Sequence, residues 1–288
     1  MTVILDGKGF ALKIEEELKE KISSLPSKPK LAVVIVGDNP ASQIYVKNKQ
    51  IAAKRVGIDS ITIELPKDTS EINLLNQIEI LNRDDSIDAV LVQLPLPEQI
   101  NKLSVLQSIS PLKDVDGFSP YNLGLMFAGA EPVSYPCTPK GVIKLLKHYN
   151  IDLEGKKAVV IGRSLIVGKP MAFLLQKENA TVTLAHSKTK NLSEITKNSD
   201  IIISAVGKPN LIDSSYISGK PVVVDIAINR VDGKIVGDVD FDGVKDLTSY
   251  ITPVPKGIGP ITIAMLLENT FELYKLHQQL KSQYGVLK

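Results

Sequence analysis

The sequence predicts a two-domain α/β protein in which parallel strands alternate with helices. The chain has 288 residues, which is more than one hydrophobic core usually serves. From Leu31 onward, runs of Val, Ile and Leu alternate with helix-like stretches, a pattern typical of parallel α/β folds. A segment dense in Pro and Gly, residues 110–139, separates two sets of these units. We therefore place a domain junction near Pro136.

The first set consists of three predicted buried strands with helices between them. Their residues are almost continuously apolar, as in strands covered on both faces. The strands are LAVVIVG (31–37), SITIEL (60–65) and AVLVQL (89–94). Between the first two, Ile44, Ile51, Ala52 and Val56 recur at roughly helical spacing, and Gly57 is a stop signal. We expect these four residues to face the core.

The second set has the strand pattern of a mononucleotide-binding, Rossmann-like domain. Each predicted strand is followed by a helix or a loop. The strands are KKAVVIG, ATVTLAH, DIIISAVG and KPVVVDIAIN. The tail, residues 257–288, reads as one long amphipathic helix that returns to the first domain. The predicted domains are therefore residues 1–136 with 257–288, and residues 137–256.

Composition excludes several classes of function. The formal net charge of +2 argues against a broad basic surface for nucleic acid or anionic lipid. A single cysteine, Cys137, excludes an internal disulfide, and no Cys/His cluster has zinc-site spacing, so we expect no metal. No apolar run approaches the ~20 residues of a membrane helix, and the N-terminus lacks a secretory pattern. We expect a soluble, cytoplasmic protein.

The stretch AVVIGRSLIVGKP predicts a phosphate-binding turn between a strand and a helix. Gly162 would let backbone N–H groups approach phosphates, and the helix that follows adds partial positive charge. The spacing departs from G-x-G-x-x-G because Ser164 replaces the second glycine and the next one is Gly168. A tight turn without a ligand is the alternative.

The end of the next strand favours NADP over NAD. NAD-binding proteins carry Asp or Glu there to hold the ribose hydroxyls, but this chain has AHSKTK. His186, Ser187, Lys188 and, on the preceding turn, Arg163 offer donors or positive charge suited to a 2′-phosphate. The alternative is that these lysines form ordinary solvated surface.

A tyrosine and a lysine in YVKNK suggest proton-transfer chemistry in the first domain. Tyr45 and Lys49 are four residues apart, so they share one face of a helix. Desolvation in a cleft, with Lys47 and Lys54 nearby, would lower the pKa of Lys49 toward a useful range. The alternative is a solvated lysine on an exposed helix.

Two further loops should reach the same edge of the first sheet. Gln93 closes a buried strand at its carboxyl end, where ligand crevices of α/β sheets form, and it could bond a lysine amine or a substrate ring. In KDVDGF, Asp114 or Asp116 could accept the paired N–H donors of a guanidine-like heterocycle. The alternatives are a capped loop amide and an Asx turn before Gly117.

Taken together, the motifs resemble the bifunctional methylenetetrahydrofolate dehydrogenase/methenyltetrahydrofolate cyclohydrolase family over nearly the whole chain. The matching stretches, in the family's order, are GDNPASQIYVKNK, VQLPLP, KDVDGF, PCTPKG, VIGRSLIVGKP, TVTLAHSKT, VGDV and TPVPKGIGPITIAML. The chain departs from the family at Lys256, where the family has a glycine in PVPGG, and at Ala227, where glycine is frequent.

The resemblance implies a folate-binding N-terminal domain, a Rossmann-like NADP-binding domain and a cleft shared by two reactions. NADP would oxidise 5,10-methylenetetrahydrofolate to 5,10-methenyltetrahydrofolate, which water opens to 10-formyltetrahydrofolate. It also implies a homodimer that acts on tetrahydrofolate derivatives in one-carbon metabolism and purine biosynthesis. The chain has no GxxxxGK[ST] loop, so we expect no formate-ligating activity with ATP.

Residue roles carry over to matching positions. Lys49 would be the general base or acid of the hydrolysis, bonded by Gln93, while Tyr45 packs near the folate ring and Asp116 holds the amino edge of the pterin. The residues implied in the cofactor site are Gly162, Arg163, Ser164, Ser187 and Ile228.

Two other classes of function are alternatives to this one. A short-chain dehydrogenase also uses a Tyr-x-x-x-Lys pair, but there the pair follows the cofactor turn, whereas Tyr45 precedes Gly162 by more than a hundred residues. A noncatalytic NADP-binding scaffold would have no need of YVKNK and Gln93.

Overall fold

Strands and helices alternate along residues 1–284, the part of the chain that the computed structural model describes. The strands are β1 (Val3–Ile4), β2 (Lys30–Val36), β3 (Asp59–Leu65), β4 (Ala89–Val92), β5 (Lys157–Ile161), β6 (Thr181–Ala185), β7 (Ile201–Ser204), β8 (Val222–Asp225), β9 (Asn229–Val231), β10 (Lys234–Val236) and β11 (Tyr250–Ile251). The α-helices are α1 (Gly7–Ser23), α2 (Pro40–Val56), α3 (Glu71–Arg83), α4 (Lys102–Ser108), α5 (Pro120–Phe127), α6 (Cys137–His148), α7 (Gly168–Lys177), α8 (Leu192–Lys197), α9 (Phe241–Val244) and α10 (Ile258–Tyr284).

The chain divides into two units, each with its own parallel sheet. The six-stranded unit contains Met1–Leu12 and Pro136–Thr262, and the three-stranded unit contains Lys13–Tyr135 and the chain from Ile263 onward. The predicted fold class, a two-domain α/β protein with a parallel sheet, is confirmed. The assignment of folate to one domain and NADP to the other stays a prediction at this point.

The sheet of the three-stranded unit has the order β3-β2-β4. Both pairings are parallel, and Val33 on the central strand lies opposite Thr62 on one side and Leu91 on the other. Every residue of β4 is buried, as is nearly all of β2. The core beneath this sheet includes Val34, Val90, Leu74, Ile78 and Val105. The three strands coincide closely with the predicted apolar runs.

Helix α2 is fixed at both ends by its own sequence. The side chain of Asn39 accepts hydrogen bonds from the N–H groups of Ala41 (3.0 Å) and Ser42 (3.1 Å), which caps the first turn. Gly57 ends the helix with a φ of 89°, a left-handed conformation that glycine adopts at little cost. The helix is thereby held in one register against the sheet.

The buried face of α2 agrees only in part with the predicted one: Ala52 and Val56 are buried as predicted. Ile44 and Ile51 were expected to face the core, but they are 48% and 51% exposed. The face that packs inward instead follows Ser42, Val46 and Ala53, with Lys49 half-buried between them. These positions recur at three, four and seven residues, as one helix face requires, and packing against the sheet selected this face over the more apolar one.

The six-stranded sheet has the order β1-β11-β8-β7-β5-β6, and all its pairings are parallel. After β6 the chain crosses to the other side of β5 to form β7. In open α/β sheets, ligands bind outside the carboxyl ends of the strands at such a switch point. The core of this unit includes Val159, Ile161, Ile202, Val223 and Ile251.

Residues 1–12 belong to the six-stranded unit, whereas they were predicted to belong to the first domain, with residues 13–136. Strand β1 pairs with β11 at the edge of the sheet, and Leu5 N–H donates to the carbonyl of Ile251 at 2.8 Å. Each of these strands has only two residues, too few to show a periodic pattern, and they are nearly 250 positions apart. Their pairing could therefore not be predicted from the sequence.

Most of helix α10 belongs to the three-stranded unit. The Asn269 side chain donates to the carbonyls of Val115 (2.8 Å) and Tyr135 (2.9 Å), and His277 is fully buried. The predicted helix extended over 257–288, of which 285–288 lie outside the described residues. Within the described part of the chain, no helix has the length and apolar character needed to cross a membrane.

Candidate active site

A lysine and a glutamine from distant parts of the sequence meet in the three-stranded unit. Lys49 Nζ donates a hydrogen bond to Gln93 Oε1 at 3.0 Å. Gln93 directly follows β4, and its backbone N–H continues the sheet by donating to the carbonyl of Val34 at 2.8 Å. Its side-chain amide donates to the Leu94 carbonyl at 2.7 Å. Because the amide nitrogen is engaged there, the carbonyl oxygen faces the lysine.

Asp116 belongs to the same electrostatic neighbourhood. Burial raises the pKa of Asp116 to about 6, the positive charge of Lys49 acts in the opposite direction, and Asp114 raises the pKa further. At neutral pH the carboxylate is therefore ionised but can be protonated under mildly acidic conditions. The structure brings together Lys49, Gln93 and Asp116, which three separate motifs supplied.

The two acids of KDVDGF have different surroundings. Asp114 is buried, and its carboxylate accepts hydrogen bonds from Phe118 N–H (3.2 Å), Ser119 N–H (2.7 Å) and the Asn122 amide (2.9 Å). These bonds hold the loop that leads into α5, so the turn interpretation applies to Asp114. The assignment of Asp116 to a ligand stays a prediction.

Tyr45 lies one helical turn before Lys49, and 38% of its surface is exposed. A further turn back, Ser42 is buried, and its hydroxyl has no hydrogen-bond partner within the described residues. Buried polar groups are normally paired. Ser42 was not among the predicted site residues, although its spacing of three residues from Tyr45 and seven from Lys49 is a signal that places it on the same helix face.

The turn between β5 and α7 requires its glycines. Gly162 has a φ of 118°, and a Cβ there would lie 2.5 Å from the carbonyl oxygen of Ala205. A Cβ on Gly168 would collide with the carbonyl of Gly162. The hydroxyl of Ser164 accepts the N–H groups of Val167 and Gly168, each at 3.2 Å. Ser164 thus closes the turn, while Arg163 beside it is exposed.

The other predicted cofactor residues also follow the carboxyl ends of strands in the six-stranded sheet. Ser187 lies exposed just after β6, and Ile228, three residues after β8, is 45% exposed. His186 Nδ1 accepts the N–H of Lys188 at 3.1 Å, so in its neutral form the ring presents Nε2–H as a donor. The loops after β5, β6 and β8 therefore offer their side chains at one edge of the sheet.

Lys256, the noted departure from the family pattern, has a backbone conformation typical of glycine. Its φ is 83°, in the left-handed region that residues with a Cβ seldom adopt. Its carbonyl accepts the N–H of Lys8 at 3.0 Å, and the residue is exposed.

Comparison with known proteins identifies the family. The family model described as tetrahydrofolate dehydrogenase/cyclohydrolase, catalytic domain, matches residues 5–116, and the model of its NAD(P)-binding domain matches residues 136–278. The chain belongs to the tetrahydrofolate dehydrogenase/cyclohydrolase family. The resemblance inferred from the sequence motifs is thereby confirmed.

Relatives match over nearly their full lengths. A protein named bifunctional protein FolD from Halalkalibacterium halodurans is 52% identical over 95% of this chain and 99% of its own, and one from Aquifex aeolicus is 50% identical over 96% of each. Among solved structures, the FolD methylenetetrahydrofolate dehydrogenase/cyclohydrolase of Campylobacter jejuni has a TM-score of 0.94 at 52% identity, covering 96% of this chain and 99% of the other. The FolD of Trypanosoma brucei, complexed with NADP and an inhibitor, has a TM-score of 0.91 at 36% identity, covering 96% and 98%.

The charge coupling between Lys49 and Asp116 can be measured. We expect the Asp116 carboxyl to titrate near pH 6, and Lys49→Met to move this midpoint upward, because loss of a nearby cation destabilises the carboxylate. Carbon-13 NMR of the aspartate carboxyl groups measures the midpoint, with Asp116→Asn identifying the signal. Lys54→Met, an exposed position on the same helix, is the control. A midpoint that Lys49→Met leaves unchanged would contradict the coupling.

Proposed function

We propose that this protein oxidises 5,10-methylenetetrahydrofolate with NADP and then hydrolyses the 5,10-methenyltetrahydrofolate product to 10-formyltetrahydrofolate. The observation that carries the proposal is the Lys49–Gln93 hydrogen bond with Asp116 in the same electrostatic neighbourhood. Membership of the dehydrogenase/cyclohydrolase family supports both reactions.

The residues at the carboxyl edge of the six-stranded sheet fit NADP. Gly162 has no Cβ to obstruct the backbone of the turn, and residues 186–190 contain donors and cations but no carboxylate. Exposed Arg163 and Ser187 are suited to a 2′-phosphate, which a guanidinium binds through charge-assisted hydrogen bonds. NADP held by these residues would supply the acceptor for the hydride from the methylene carbon of the folate. The chain's own part in this step is to bind and orient the reactants.

The hydrolysis needs a group that moves protons. Water adds through its oxygen to the methenyl carbon and loses one proton. The bond from that carbon to N5 then breaks, N5 gains a proton, and the hydroxyl oxygen loses its remaining proton to become the formyl carbonyl. Lys49 exchanges these protons with the water and the folate. Gln93 helps to keep Nζ in place through a neutral oxygen acceptor.

Asp116 and Tyr45 are assigned to folate binding. The ionised carboxylate of Asp116 would accept two N–H groups from the amino edge of the pterin, a paired interaction that a charged acceptor strengthens. Although burial raises the pKa of Asp116 to about 6, this value lies below 7, so most of the carboxyl group is ionised at neutral pH. The partly exposed ring of Tyr45, one turn from Lys49, would pack against the folate ring.

The wider setting follows from the family. We place the activity in the cytoplasm, in one-carbon metabolism that includes purine biosynthesis, and we assign tetrahydrofolate derivatives as the substrates, with no nucleic acid or membrane partner.

Turnover tests the proposal directly. The purified protein is mixed with 5,10-methylenetetrahydrofolate and NADP, and the absorbances of NADPH and of the methenyl product are followed. Formation and subsequent decay of the methenyl signal are expected. NADP binding without any turnover between mildly acidic and mildly alkaline pH would instead favour the noncatalytic scaffold.

Lys49→Met should abolish hydrolysis of added 5,10-methenyltetrahydrofolate, because methionine cannot carry a proton. NADP affinity should stay at the wild-type value, since Lys49 is assigned no cofactor contact. Lys54→Met, with the same change at an exposed site, should hydrolyse normally. Hydrolysis by Lys49→Met at the wild-type rate would remove the lysine from the mechanism.

Arg163→Ala should weaken NADP binding more than NAD binding by about 1 to 3 kcal/mol, the range for a charge-assisted hydrogen bond. Calorimetric titration of wild type and variant with both cofactors measures this difference. Equal losses for the two cofactors would reject the assignment of Arg163 to the 2′-phosphate.

The proposed homodimer would use the open edge of β6. Thr181 N–H donates to Lys156, and the Ala185 carbonyl accepts from Gly162, so these alternate residues face β5. In a parallel ladder the residues between them, Val182 and Leu184, therefore turn their backbone groups to the open edge. Such an edge can pair with a second copy, and Leu184 is 36% exposed beside it.

Sedimentation equilibrium should give twice the 31.3 kDa chain mass for the wild type and the single mass for Leu184→Pro. The proline removes an outward N–H while the pairing with β5 is kept. Leu184→Ala retains that N–H and should stay dimeric. A wild-type monomer at assay concentration would refute the homodimer, and a dimeric Leu184→Pro would move the interface elsewhere.

A further inference from the structure

A fully buried carboxylate gathers five hydrogen-bond donors in the six-stranded unit. Asp238, from the VGDV motif, has no exposed surface. Its Oδ2 accepts from Ser204 Oγ (2.9 Å), Val206 N–H (2.7 Å) and Gly207 N–H (3.2 Å), and its Oδ1 accepts from Lys208 N–H (2.7 Å) and Asn229 Nδ2 (3.2 Å). An isolated buried charge is very unfavourable, and hydrogen bonds of this number are what make it tolerable.

These donors belong to two loops at the switch point of the sheet. Ser204 is the last residue of β7, and the three backbone N–H groups follow it directly, while Asn229 begins β9 after the loop that leaves β8. Asp238 therefore ties the loop after β7 to the loop after β8. Both loops lie at the carboxyl edge, where α/β sheets bind dinucleotides.

The loop after β7 also contacts the glycine turn. The N–H of Ala205 donates to Ile161, the last residue of β5, at 2.9 Å. The carbonyl of Ala205 lies where a Cβ on Gly162 would approach it to 2.5 Å. The start of the loop after β7 is therefore packed against the glycine turn that follows β5.

A second aspartate, Asp225, fixes the backbone beside Asp238. Asp225, at the end of β8, accepts the N–H groups of Ala227 (3.1 Å) and Val239 (2.8 Å), so it fixes the backbone on the far side of Asp238. A Cβ on Gly237 would collide with the Asp225 carboxylate, which explains the glycine of VGDV. The carboxylate of Asp238 is thus held on a segment that is itself anchored.

We propose that Asp238 is a positioning residue for the dinucleotide: it fixes the loops after β7 and β8 so that Val206 and Ile228 form an apolar wall of the NADP crevice. Both side chains are 45% exposed although they lie on loops fixed from beneath. An exposed apolar pair on such loops is suited to the face of a nicotinamide ring. This inference rests on the proposed function, because it takes NADP as the ligand of this edge.

Asp238→Asn tests the inference, since asparagine keeps the volume but replaces one acceptor oxygen by a donor that opposes N–H groups. We expect the NADP dissociation constant, measured by calorimetry, to rise about tenfold or more. The KM of the dehydrogenase for NADP should rise with it. Hydrolysis of added methenyltetrahydrofolate, assayed without NADP, should stay within about twofold of wild type, because the residues assigned to it lie in the other unit.

Asp240→Asn is the matched control. It makes the same substitution two residues away, where the carboxylate only accepts the N–H of Gly243 at the start of α9, a capping task that asparagine also performs. Amide hydrogen exchange of Val206, Gly207 and Lys208 should accelerate in Asp238→Asn and not in Asp240→Asn. A residue that only stabilised the fold would lower the melting temperature without a selective loss of NADP affinity in the folded protein.

If Asp238→Asn does not fold, Ser204→Ala and Asn229→Ala decide the question, because each removes one donor and leaves the carboxylate. Each should raise the NADP dissociation constant by about threefold, below the effect expected for the acceptor itself. NADP affinities equal to that of Asp240→Asn in every variant would overturn the inference. A wild-type protein that neither binds NADP nor turns over would instead refute the proposed function.

Discussion

The chemistry of this protein depends on how one ammonium group is held on the inner face of a helix. Lys49 lies on the face of α2 that also carries Ser42, Val46 and Ala53, so its amine is directed toward the sheet. One acceptor it meets is the oxygen of Gln93, a neutral group that holds the amine in position. The nearby acid, Asp116, has its pKa raised by burial to about 6, so its carboxyl group can exchange protons in mildly acidic conditions.

The six-stranded unit uses carboxylates in the opposite way. Asp225 and Asp238 are buried and bonded to backbone N–H groups, while residues 186–190 at the surface of the same edge include none. The two buried carboxylates therefore accept hydrogen bonds from the protein itself. The donors and cations of residues 186–190 are proposed to bind a ligand. A phosphorylated dinucleotide is the kind of ligand that such an arrangement favours.

Much of the fold and part of the candidate site could be predicted from the sequence, because they depend on patterns of neighbouring residues. Continuous apolar runs located β2, β3 and β4, and the glycine spacing located the turn before α7. In α2 the burial of Ala52 and Val56 could be predicted, but the exposure of Ile44 and Ile51 could not, since both are more apolar than the buried Ser42. The choice between Asp114 and Asp116 depends on donors from Ser119 and Asn122, which only the folded loop brings close. Asp238 was part of a recognised motif, but four of its five hydrogen-bond partners are 30 to 34 residues away in the sequence.

Lys256 shows how a departure from a family pattern is accommodated. A left-handed φ costs a residue with a Cβ of order 1 to 3 kcal/mol, and such a conformation persists only where its surroundings fix it. Here the carbonyl of Lys256 is held by the N–H of Lys8, and Gly257 follows in a close backbone contact with Gly7. Both anchors are main-chain groups, so they do not depend on the side chain that residue 256 carries. The lysine adds an exposed cation to the six-stranded unit, whereas Lys49, Gln93 and Asp116, on which the proposed chemistry depends, lie in the other unit.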